Sequence, residues 1–407
     1  MRSGRMDGRI LIYSHDTFGL GHLRRCRTIA HALVDQFKQL SVLILSGSPI
    51  IGSFDFRARV DFVRVPGVIK LRNGEYTPLN LHIDVEQTLS IRGSIIRHTA
   101  EAFNPDVFIV DKEPMGLRGE VLETLEMLKP MGTRLVLGLR DVMDEPKLLQ
   151  PEWHRKNVLP ALRDLYDEIW IYGLPQICDP LEGIALPQKV RQKMTYTGYL
   201  HREVPTQGAP PRLPEITERP YLLVTTGGGG DGESLIDWVL RAYEHDPLLP
   251  YPALLVLGPF MQPERQIEFM DRASRLKRVD AITFHNNLET LVAKAAGVVG
   301  MGGYNTFCEV ISLNKRALIV PRTVPRLEQY IRISCAAKLG LVSMLADDGR
   351  HDPAVMAAAL RALPRQNLPS EVVVPGLLEG LKNVARLVAP WVDPAEQEAL
   401  PARSRTA

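Results

Sequence analysis

The chain has 407 residues, of which 45% are hydrophobic and 24% are charged, and its formal net charge is +2. This length predicts about two or three domains, each with enough apolar residues for a core. The net charge is near neutral and the Lys and Arg residues are scattered, so the sequence gives no electrostatic reason to expect a nucleic-acid partner. The four cysteines form no Cys-x-x-Cys pair, so neither a zinc site nor a disulfide framework is predicted. No apolar run is long enough to cross a bilayer, so we expect a cytoplasmic protein and leave peripheral attachment at the inner face of a membrane open.

Short β-rich runs alternate with longer amphipathic stretches along the first half of the chain. Strands are predicted at residues 9–14, 42–45, 62–65, 107–110, 135–139 and 169–172. Helices are predicted at residues 23–37, 89–103 and 117–128. This alternation predicts a parallel sheet that is covered by helices.

A proline-rich segment then interrupts the pattern. Residues 204–220 hold five prolines and almost no apolar periodicity, which is typical of a linker. We therefore predict a first domain over 1–203 and a second over 221–372, with second-domain strands at 221–225, 254–257, 282–284, 297–299 and 317–320. A helix within 373–400 is expected to pack back on the first domain, and residues 401–407 are expected to be disordered. The predicted fold class is α/β, with two Rossmann-like, doubly wound domains that face each other across a cleft.

Ligands of doubly wound sheets bind beyond the carboxyl ends of the strands. The segment 300–309 follows a predicted strand and opens a helix, so its backbone N–H groups should converge on an anion. Gly302 and Gly303 would let a phosphate approach the backbone, and Glu309, about two turns into the helix, would accept hydrogen bonds from hydroxyls. These features predict a nucleoside phosphate as ligand. The alternative is a simple strand-to-helix turn with Glu309 on the surface.

Two more loops of the second domain follow predicted strands. The first contains Gly227, Gly228, Gly229 and Gly230, and the entropy that such a loop loses on ordering favours close approach to a ligand over a flexible surface loop. In the second, Arg322 would pair with phosphate, while Glu328 and Gln329 suit sugar hydroxyls. Glu and Gln are also common in first helical turns, so this second loop is ambiguous alone.

The first domain contributes the loop that ends at His22. This loop contains Gly19 and Gly21 but lacks both the dinucleotide fingerprint and the Lys-Ser/Thr pair of a P-loop. An imidazole at a helix N-terminus is shifted towards its neutral form, as a general base requires. The alternative is that His22 only caps the helix and that Arg24 and Arg25 are solvated.

Two aspartates compete with His22 for the role of base. Asp111 and Asp141 each follow a predicted strand, and either would serve as the base, orient His22 or bind an acceptor. His15 and Asp16 are weaker candidates, and we interpret them as polar loop residues.

The C-terminal motifs resemble those of a known family. Residues 298–309, then 317–322, then Glu328-Gln329, are similar in sequence and order to GT-B glycosyltransferases of the MurG type, with the family 28 C-terminal domain. The resemblance covers most of the second domain. It implies a nucleoside-diphosphate sugar, UDP-linked, that is held mainly by the second domain, and an acceptor that is bound by the first.

The same resemblance implies roles for particular residues. It assigns Glu309 to the ribose, the loop from Gly227 to Gly230 with Gly302 and Gly303 to the diphosphate, and Glu328 and Gln329 to the donor sugar. The remaining donor contacts that it implies are Asn286, Leu288, Asn305, Thr306 and Arg322. Many relatives have an acidic pair where this chain has Asn286-Asn287, so the base of the nucleotide stays open.

Residues 19–30 are also similar to the opening of the PseG-type UDP-sugar hydrolases, in which a His at this place activates water. Residues 54–98, which include Arg72, Asn73, His82 and Asp84, suit an acceptor site better than a bare water. We therefore expect an inverting, metal-independent transferase with no resident cofactor, in which Gly19, Gly21 and Arg140 lie on the acceptor side. A hydrolase, a sugar-nucleotide 2-epimerase and a non-catalytic nucleotide-sugar binder remain alternatives. The expected partners are small molecules, and the oligomeric state is open.

Overall fold

The structure is a computed structural model that describes residues 7–16, 20–70, 75–204 and 213–393. The chain divides into two compact units. The first unit comprises Met1–Pro175, Asp179–Leu200 and Gly376–Ala407, and the second comprises Gln176–Cys178 and His201–Pro375. Gly19, Arg72, Asn73, residues 205–212 of the predicted linker and the tail 401–407 lie outside the described residues.

Up to Leu200, the described residues of the first unit form nine strands and six α-helices. Its strands are β1 Gly8–Ser14, β2 Leu40–Ser46, β3 Val60–Arg64, β4 Val68–Lys70, β5 Tyr76–Pro78, β6 Val107–Asp111, β7 Arg134–Arg140, β8 Glu168–Tyr172 and β9 Met194–Tyr196. Its helices are α1 Gly21–Gln36, α2 Val85–Phe103, α3 Leu122–Leu128, α4 Pro146–Arg155, α5 Val158–Pro160 and α6 Gln188–Arg191. A π-helical turn, Ala161–Leu165, continues α5.

Seven of these strands form one parallel sheet with the order β3-β2-β1-β6-β7-β8-β9, and β4 and β5 pair separately as an antiparallel hairpin. Residues 10–12 at the centre of β1 are fully buried, as expected for a parallel strand that is covered on both faces. In α1, Leu23, Cys26, Ala30 and Leu33 recur at helical spacing and are buried, so one face of this helix covers the sheet. The order of the strands reverses between β1 and β6, which defines a switch point.

The second unit repeats this architecture with fewer strands. Its strands are β10 Leu222–Thr225, β11 Ala253–Val256, β12 Val279–Ile282, β13 Gly297–Gly300, β14 Ala317–Ile319 and β15 Ser343–Met344. Its helices are α7 Glu233–His245, α8 Pro263–Ser274, α9 Leu288–Lys294, α10 Tyr304–Ser312, α11 Glu328–Lys338 and α12 Pro353–Ala362. The strands form one sheet with the order β12-β11-β10-β13-β14-β15, so the second switch point lies between β10 and β13.

Local backbone chemistry explains where the observed elements differ from the predicted ones. The helix predicted from residue 117 begins only at Leu122, because Arg118 and Gly119 adopt left-handed conformations, with φ of 51° and 91°. The helix predicted from residue 89 begins at Val85, because the Asp84 side chain accepts a hydrogen bond from the backbone N–H of Gln87 at 2.7 Å. Strands β4, β5, β9 and β15 were not predicted.

The boundary after the first unit lies at Leu200, not at residue 203. Arg202 belongs to the second unit, because its backbone N–H donates to Ser312 Oγ at 3.0 Å and its guanidinium donates to Asn305 Oδ1 at 2.6 Å. No helix of the described residues is long and apolar enough to cross a membrane.

The chain returns to the first unit through a last helix, α13 Gly380–Val392. The backbone N–H of Gly380 donates to the Tyr199 carbonyl oxygen at 3.1 Å, and the Asn383 side chain donates to the Thr197 carbonyl oxygen at 2.8 Å. A Cβ atom on Gly380 would lie 2.6 Å from the carbonyl oxygens of Gly198 and Tyr199. Only glycine therefore lets this helix begin so close to the strand-end backbone.

Replacement of Gly380 by alanine should destabilise the first unit by about 1–3 kcal/mol, because the added methyl group meets backbone atoms that cannot rotate away. Gly52→Ala is the matched control, since a Cβ atom there meets nothing within 4 Å, and its effect should stay within about 0.5 kcal/mol. Thermal unfolding of the two variants measures the difference. Equal melting temperatures would contradict the tight docking of α13.

Candidate active site

The first candidate group lies at the switch point of the first unit. Strands β1 and β6 are parallel neighbours, with Tyr13 opposite Val110, so the loops that follow them meet at one edge of the sheet. Asp111 ends β6, and His22 lies in the first turn of α1, which begins at Gly21. The sheet order thus brings together two residues that are 89 positions apart in sequence.

His22, Asp111 and Arg25 form a buried cluster. The Nδ1 atom of His22 lies 2.5 Å from Asp111 Oδ2. Arg25 binds the same carboxylate with two hydrogen bonds, from Nε to Oδ1 at 2.8 Å and from Nη2 to Oδ2 at 2.6 Å. The side chains of Arg25 and Asp111 are each only 2% exposed, whereas that of His22 is 14% exposed. His22 is therefore the member of the cluster that a substrate can reach.

The contacts of Nδ1 determine the tautomer of His22. An ionised carboxylate only accepts hydrogen bonds, so Nδ1 carries the proton and donates to Asp111. The approach of Arg25 Nη2 to Nδ1, at 3.0 Å, is then a proximity between two donors rather than a hydrogen bond. In the neutral ring this leaves the lone pair on Nε2, where it can take a proton.

The charges of the cluster agree with this assignment. Burial lowers the pKa of His22 from 6.5 to about 4, although the charge of Asp111 and its hydrogen bond act in the opposite direction. Burial would raise the pKa of Asp111, but the Arg25 guanidinium and the contact with His22 outweigh it and hold that pKa well below its usual range. Asp111 is therefore a poor base and a good orienting group, whereas His22 is neutral at physiological pH.

Asp141, the second rival, lies in a different environment. It is fully buried, and its carboxylate accepts hydrogen bonds from the Tyr199 hydroxyl at 2.8 Å and from the backbone N–H of Val142 at 2.9 Å. These bonds tie the end of β7 to the segment after β9 and favour a structural role over a catalytic one. Arg140, the last residue of β7, is half-buried.

A cavity of about 660 Å³ opens beside the cluster, within the first unit. His15 is 6% exposed and lines this cavity, and its ring meets that of His22 edge-on with centroids 5.7 Å apart. Burial lowers the pKa of His15 well below its ordinary value, so this second imidazole is also neutral. His15 does lie in the loop after β1, as interpreted from the sequence, but its side chain is buried against the candidate base.

The second candidate group lies in the second unit. Thr225 is opposite Gly300, and Gly300 is opposite Ile319, so the loops after β10, β13 and β14 are neighbours at one sheet edge. Arg322 connects the outer two loops, since it donates to Asp231 at 2.5 Å and to Glu328 at 3.3 Å. Gln329 accepts a hydrogen bond from the backbone N–H of Arg322 at 3.3 Å. Three of the predicted donor loops therefore do converge.

The glycines of these loops serve two purposes. A Cβ atom on Gly229 would lie 2.4 Å from the Leu257 carbonyl oxygen, and one on Gly302 would lie 2.4 Å from Ile333. These two glycines are needed for packing, whatever binds nearby. Gly227 and Gly303 differ, because a Cβ atom on either meets nothing within 4 Å. They are the glycines at which the backbone is open to a ligand.

The other predicted donor residues vary in how accessible they are. Gly228 is half-buried and its carbonyl oxygen accepts from the Phe260 backbone, while Gly230 and Asn286 are exposed. The side chains of Leu288, Asn305, Thr306, Glu328 and Gln329 are buried, with 6–9% exposed.

Glu309 is fully buried on the second turn of α10, so the alternative of a surface helix residue is wrong. The structure does not present its carboxylate at a surface, and its role at a ribose stays a prediction. Among the described residues, no three His, Cys, Asp or Glu side chains are placed to share a metal ion.

Two arginines were not predicted to contact site residues. Arg25 contradicts the alternative in which it is solvated, and the sequence holds a signal for this, because Arg25 follows His22 by three positions and therefore shares its helix face. Arg202 is 3% exposed and binds Asn305, the second residue of α10. No local pattern indicates that contact, since the residues are 103 positions apart.

The comparisons with known proteins define the fold. No protein-family model and no curated protein matches the sequence. The structure is similar to that of a UDP-glucosyltransferase from Polygonum tinctorium, with 13% identity and a TM-score of 0.60 over 95% of this chain and 99% of that chain. It is also similar to the spinosyn forosaminyltransferase SpnP, with 16% identity and a TM-score of 0.58 over 97% and 98% of the two chains. MurG of Acinetobacter baumannii follows, with 12% identity and a TM-score of 0.54 over 94% and 99%. The chain therefore has the GT-B fold, and the predicted fold class is confirmed.

The His22 imidazole should titrate at about pH 4 rather than near 6.5, because its burial disfavours the charged form. Asp111→Asn should lower that midpoint further, because the charge that favours the imidazolium is removed. Side-chain NMR of histidine-labelled protein, with His22→Gln to identify the signal, measures both values. A midpoint near 6.5 would contradict the buried neutral imidazole.

The same shift predicts how stability depends on pH. Between pH 6.5 and about 4 the unfolded chain binds a proton at this histidine and the folded chain does not. The contribution of His22 to the free energy of unfolding is therefore fully present above pH 6.5 and is lost as the pH falls from 6.5 to about 4. Denaturant titrations across this range measure the free energies of unfolding of the wild type and of His22→Gln, and the two values should converge as the pH falls. A difference that stays constant with pH would contradict the lowered pKa of His22.

Proposed function

We propose that this protein is an inverting glycosyltransferase that moves a sugar from a nucleoside-diphosphate sugar to a hydroxyl-bearing acceptor. The observation that carries the proposal is the neutral His22, which Asp111 orients at the switch point of a GT-B chain. Such a group suits the removal of a proton from an acceptor hydroxyl at neutral pH.

The donor is proposed to be UDP-linked and to bind the second unit. Two structural neighbours support this choice: the Polygonum tinctorium enzyme is a UDP-glucosyltransferase, and the structure of Phytolacca americana UGT2 is a complex with UDP-2-fluoro-glucose. Gly227 and Gly303 are open to a diphosphate, and Gly303 precedes the first turn of α10, where backbone N–H groups favour an anion. Arg322 lies at the same sheet edge, where its guanidinium binds Asp231 and Glu328, and we propose that it exchanges these partners for the diphosphate when the donor binds.

The proposed reaction is a direct displacement. Nε2 of His22 takes the proton of the acceptor hydroxyl while its oxygen forms a bond to the anomeric carbon of the sugar. The bond from that carbon to the diphosphate oxygen breaks on the opposite face, and the nucleoside diphosphate leaves with the bonding pair. Asp111 stabilises the imidazolium that forms, and the open N–H groups of the second unit with Arg322 stabilise the charge on the leaving group. The mechanism invokes no metal.

Hydrolysis is the second candidate, because the same base can take a proton from water. The cavity beside His15 favours transfer, since a bare water needs no binding space of this size. Incubation of the protein with a UDP-sugar and no acceptor separates the two. Rapid stoichiometric release of free sugar would favour the hydrolase, whereas slow leakage that a cell extract accelerates would favour the transferase.

His22→Ala should reduce the turnover of UDP-sugar by about 10²–10⁴-fold, because the general base is lost. Binding of UDP, measured by the shift in melting temperature, should be unchanged, since the nucleotide is assigned to the second unit. Near-normal turnover in this variant would show that His22 is not the base.

Gly303→Ala should weaken UDP binding by about tenfold or more without loss of stability, because the methyl group enters open space where the diphosphate is proposed to lie. Isothermal titration with UDP measures the affinity. Gly302→Ala is the contrasting variant, and it should lower the melting temperature because its methyl group meets Ile333. Unchanged UDP affinity in Gly303→Ala would remove this loop from the donor site.

A further inference from the structure

The cavity of about 660 Å³ in the first unit has a buried apolar interior and a charged mouth. Its buried lining residues include Pro114, Leu117, Val158 and Ala161. Arg118, Glu126 and Asp164 also line it and are exposed, so they mark the opening. The volume lies within the range of pockets that enclose most of one small molecule.

Buried hydrogen bonds hold one wall of the cavity in place. The Tyr13 hydroxyl donates to Glu120 at 2.6 Å and accepts from the backbone N–H of Leu117 at 3.1 Å. Arg92 binds the Glu120 carboxylate with two hydrogen bonds of 2.6 Å. These contacts join the loop after β6 to β1 and α2, so this wall is formed before any ligand binds, which lowers the entropic cost of binding.

Most charges around the cavity are already paired. At the opening, Arg118 binds Glu86 at 2.5 Å, and Asp164 binds Arg163 at 2.6 Å. Lys156, which is also exposed, donates to Glu113 at 3.0 Å and to Glu152 at 2.7 Å. No strong excess of positive charge is therefore available to a phosphate-bearing ligand, while paired charges do not oppose an uncharged one.

Two polar groups can orient a hydroxyl inside. Glu113 is largely buried, and although burial opposes its ionisation, the charges of Lys112 and Lys156 lower its pKa to about 2. It is an acceptor for a hydroxyl proton. The other group is His15, which lines the cavity and whose ring meets that of His22 edge-on, with the ring centroids 5.7 Å apart.

We propose that this cavity binds the acceptor, and that the acceptor is an uncharged, largely apolar small molecule with a hydroxyl group, not a phosphate-linked lipid. The inference rests on the proposed transferase function and adds the class of acceptor to it. The apolar interior selects a ring or short hydrocarbon body, and the pair of Glu113 and His15 directs its hydroxyl towards His22.

A matched pair of fluorescent probes tests the class of ligand. We expect 4-methylumbelliferone, at mildly acidic pH where its phenol is uncharged, to bind saturably, and 4-methylumbelliferyl phosphate to bind at least about tenfold more weakly. Glu113→Gln should narrow this difference, because a buried negative charge that repels the phosphate is removed.

Cavity-filling variants test the place of binding. Ala161→Trp and Leu122→Trp each add bulk to a lining position, and each should weaken binding of 4-methylumbelliferone by about tenfold or more. Ala102→Trp is the matched control, since Ala102 is exposed on α2 and does not line the cavity. Two filling variants at different walls guard against one that fails to fold, and melting temperatures identify such a failure.

The inference is overturned if the uncharged probe does not bind saturably, if its phosphate ester binds as well, or if both folded filling variants bind like wild type. Titration of the wild-type protein with UDP keeps this test separate from the test of the donor site. If the wild type binds the uncharged probe but not UDP, the proposed function is contradicted. If it binds UDP but not the probe, only the acceptor class is contradicted.

Discussion

The buried carboxylate of Asp111 is the group on which the candidate site of the first unit depends. It binds Arg25 through two hydrogen bonds and holds Nδ1 of His22 at 2.5 Å. Removing one partner from a buried ion pair commonly costs about 3–5 kcal/mol, because the other charge is left unpaired. Arg25 therefore keeps Asp111 ionised, and the ionised carboxylate accepts from Nδ1 and so determines the tautomer of His22. The neutral Nε2 that results is a consequence of the sheet order, which sets the end of β6 beside the start of α1.

The second unit shows a different constraint, in which backbone proximity determines the residue type. Gly229 packs against the Leu257 carbonyl, and Gly302 packs against Ile333, so these glycines are explained without a ligand. Gly227 and Gly303 have open space instead. A glycine-rich motif is thus a mixture of packing and ligand-facing positions, and only the structure separates them.

Much of the fold was predictable because parallel strands that are covered on both faces appear in the sequence as short apolar runs. The ends of the elements were less predictable. The left-handed backbone at Arg118 places the start of α3 after the predicted residue, and the Asp84 cap places the start of α2 before it. At the site, the sequence placed His22 and Asp111 near strand ends but did not distinguish base from orienting group. That distinction depends on burial and on Arg25, whose contact with Asp111 spans 86 positions.

Some positions carried no usable signal. Asp141 and Asp111 both follow strands, yet Asp141 is fully buried and bound by Tyr199, which comes from a distant segment. His15 was read as a loop residue, although it lines the cavity that we assign to the acceptor. Long-range packing decides such cases, and periodicity within a short window does not report it.

The central claim is that Asp111 acts through His22 and not independently of it. A double-mutant cycle with His22→Ala, Asp111→Asn and the combined variant, read as the release of UDP from a UDP-sugar, tests it most directly. Each protein is first shown to be folded and to bind UDP. We expect the combined variant to be no slower than His22→Ala alone, because Asp111 has nothing left to orient. Rate losses that multiply would instead show that Asp111 contributes independently of His22.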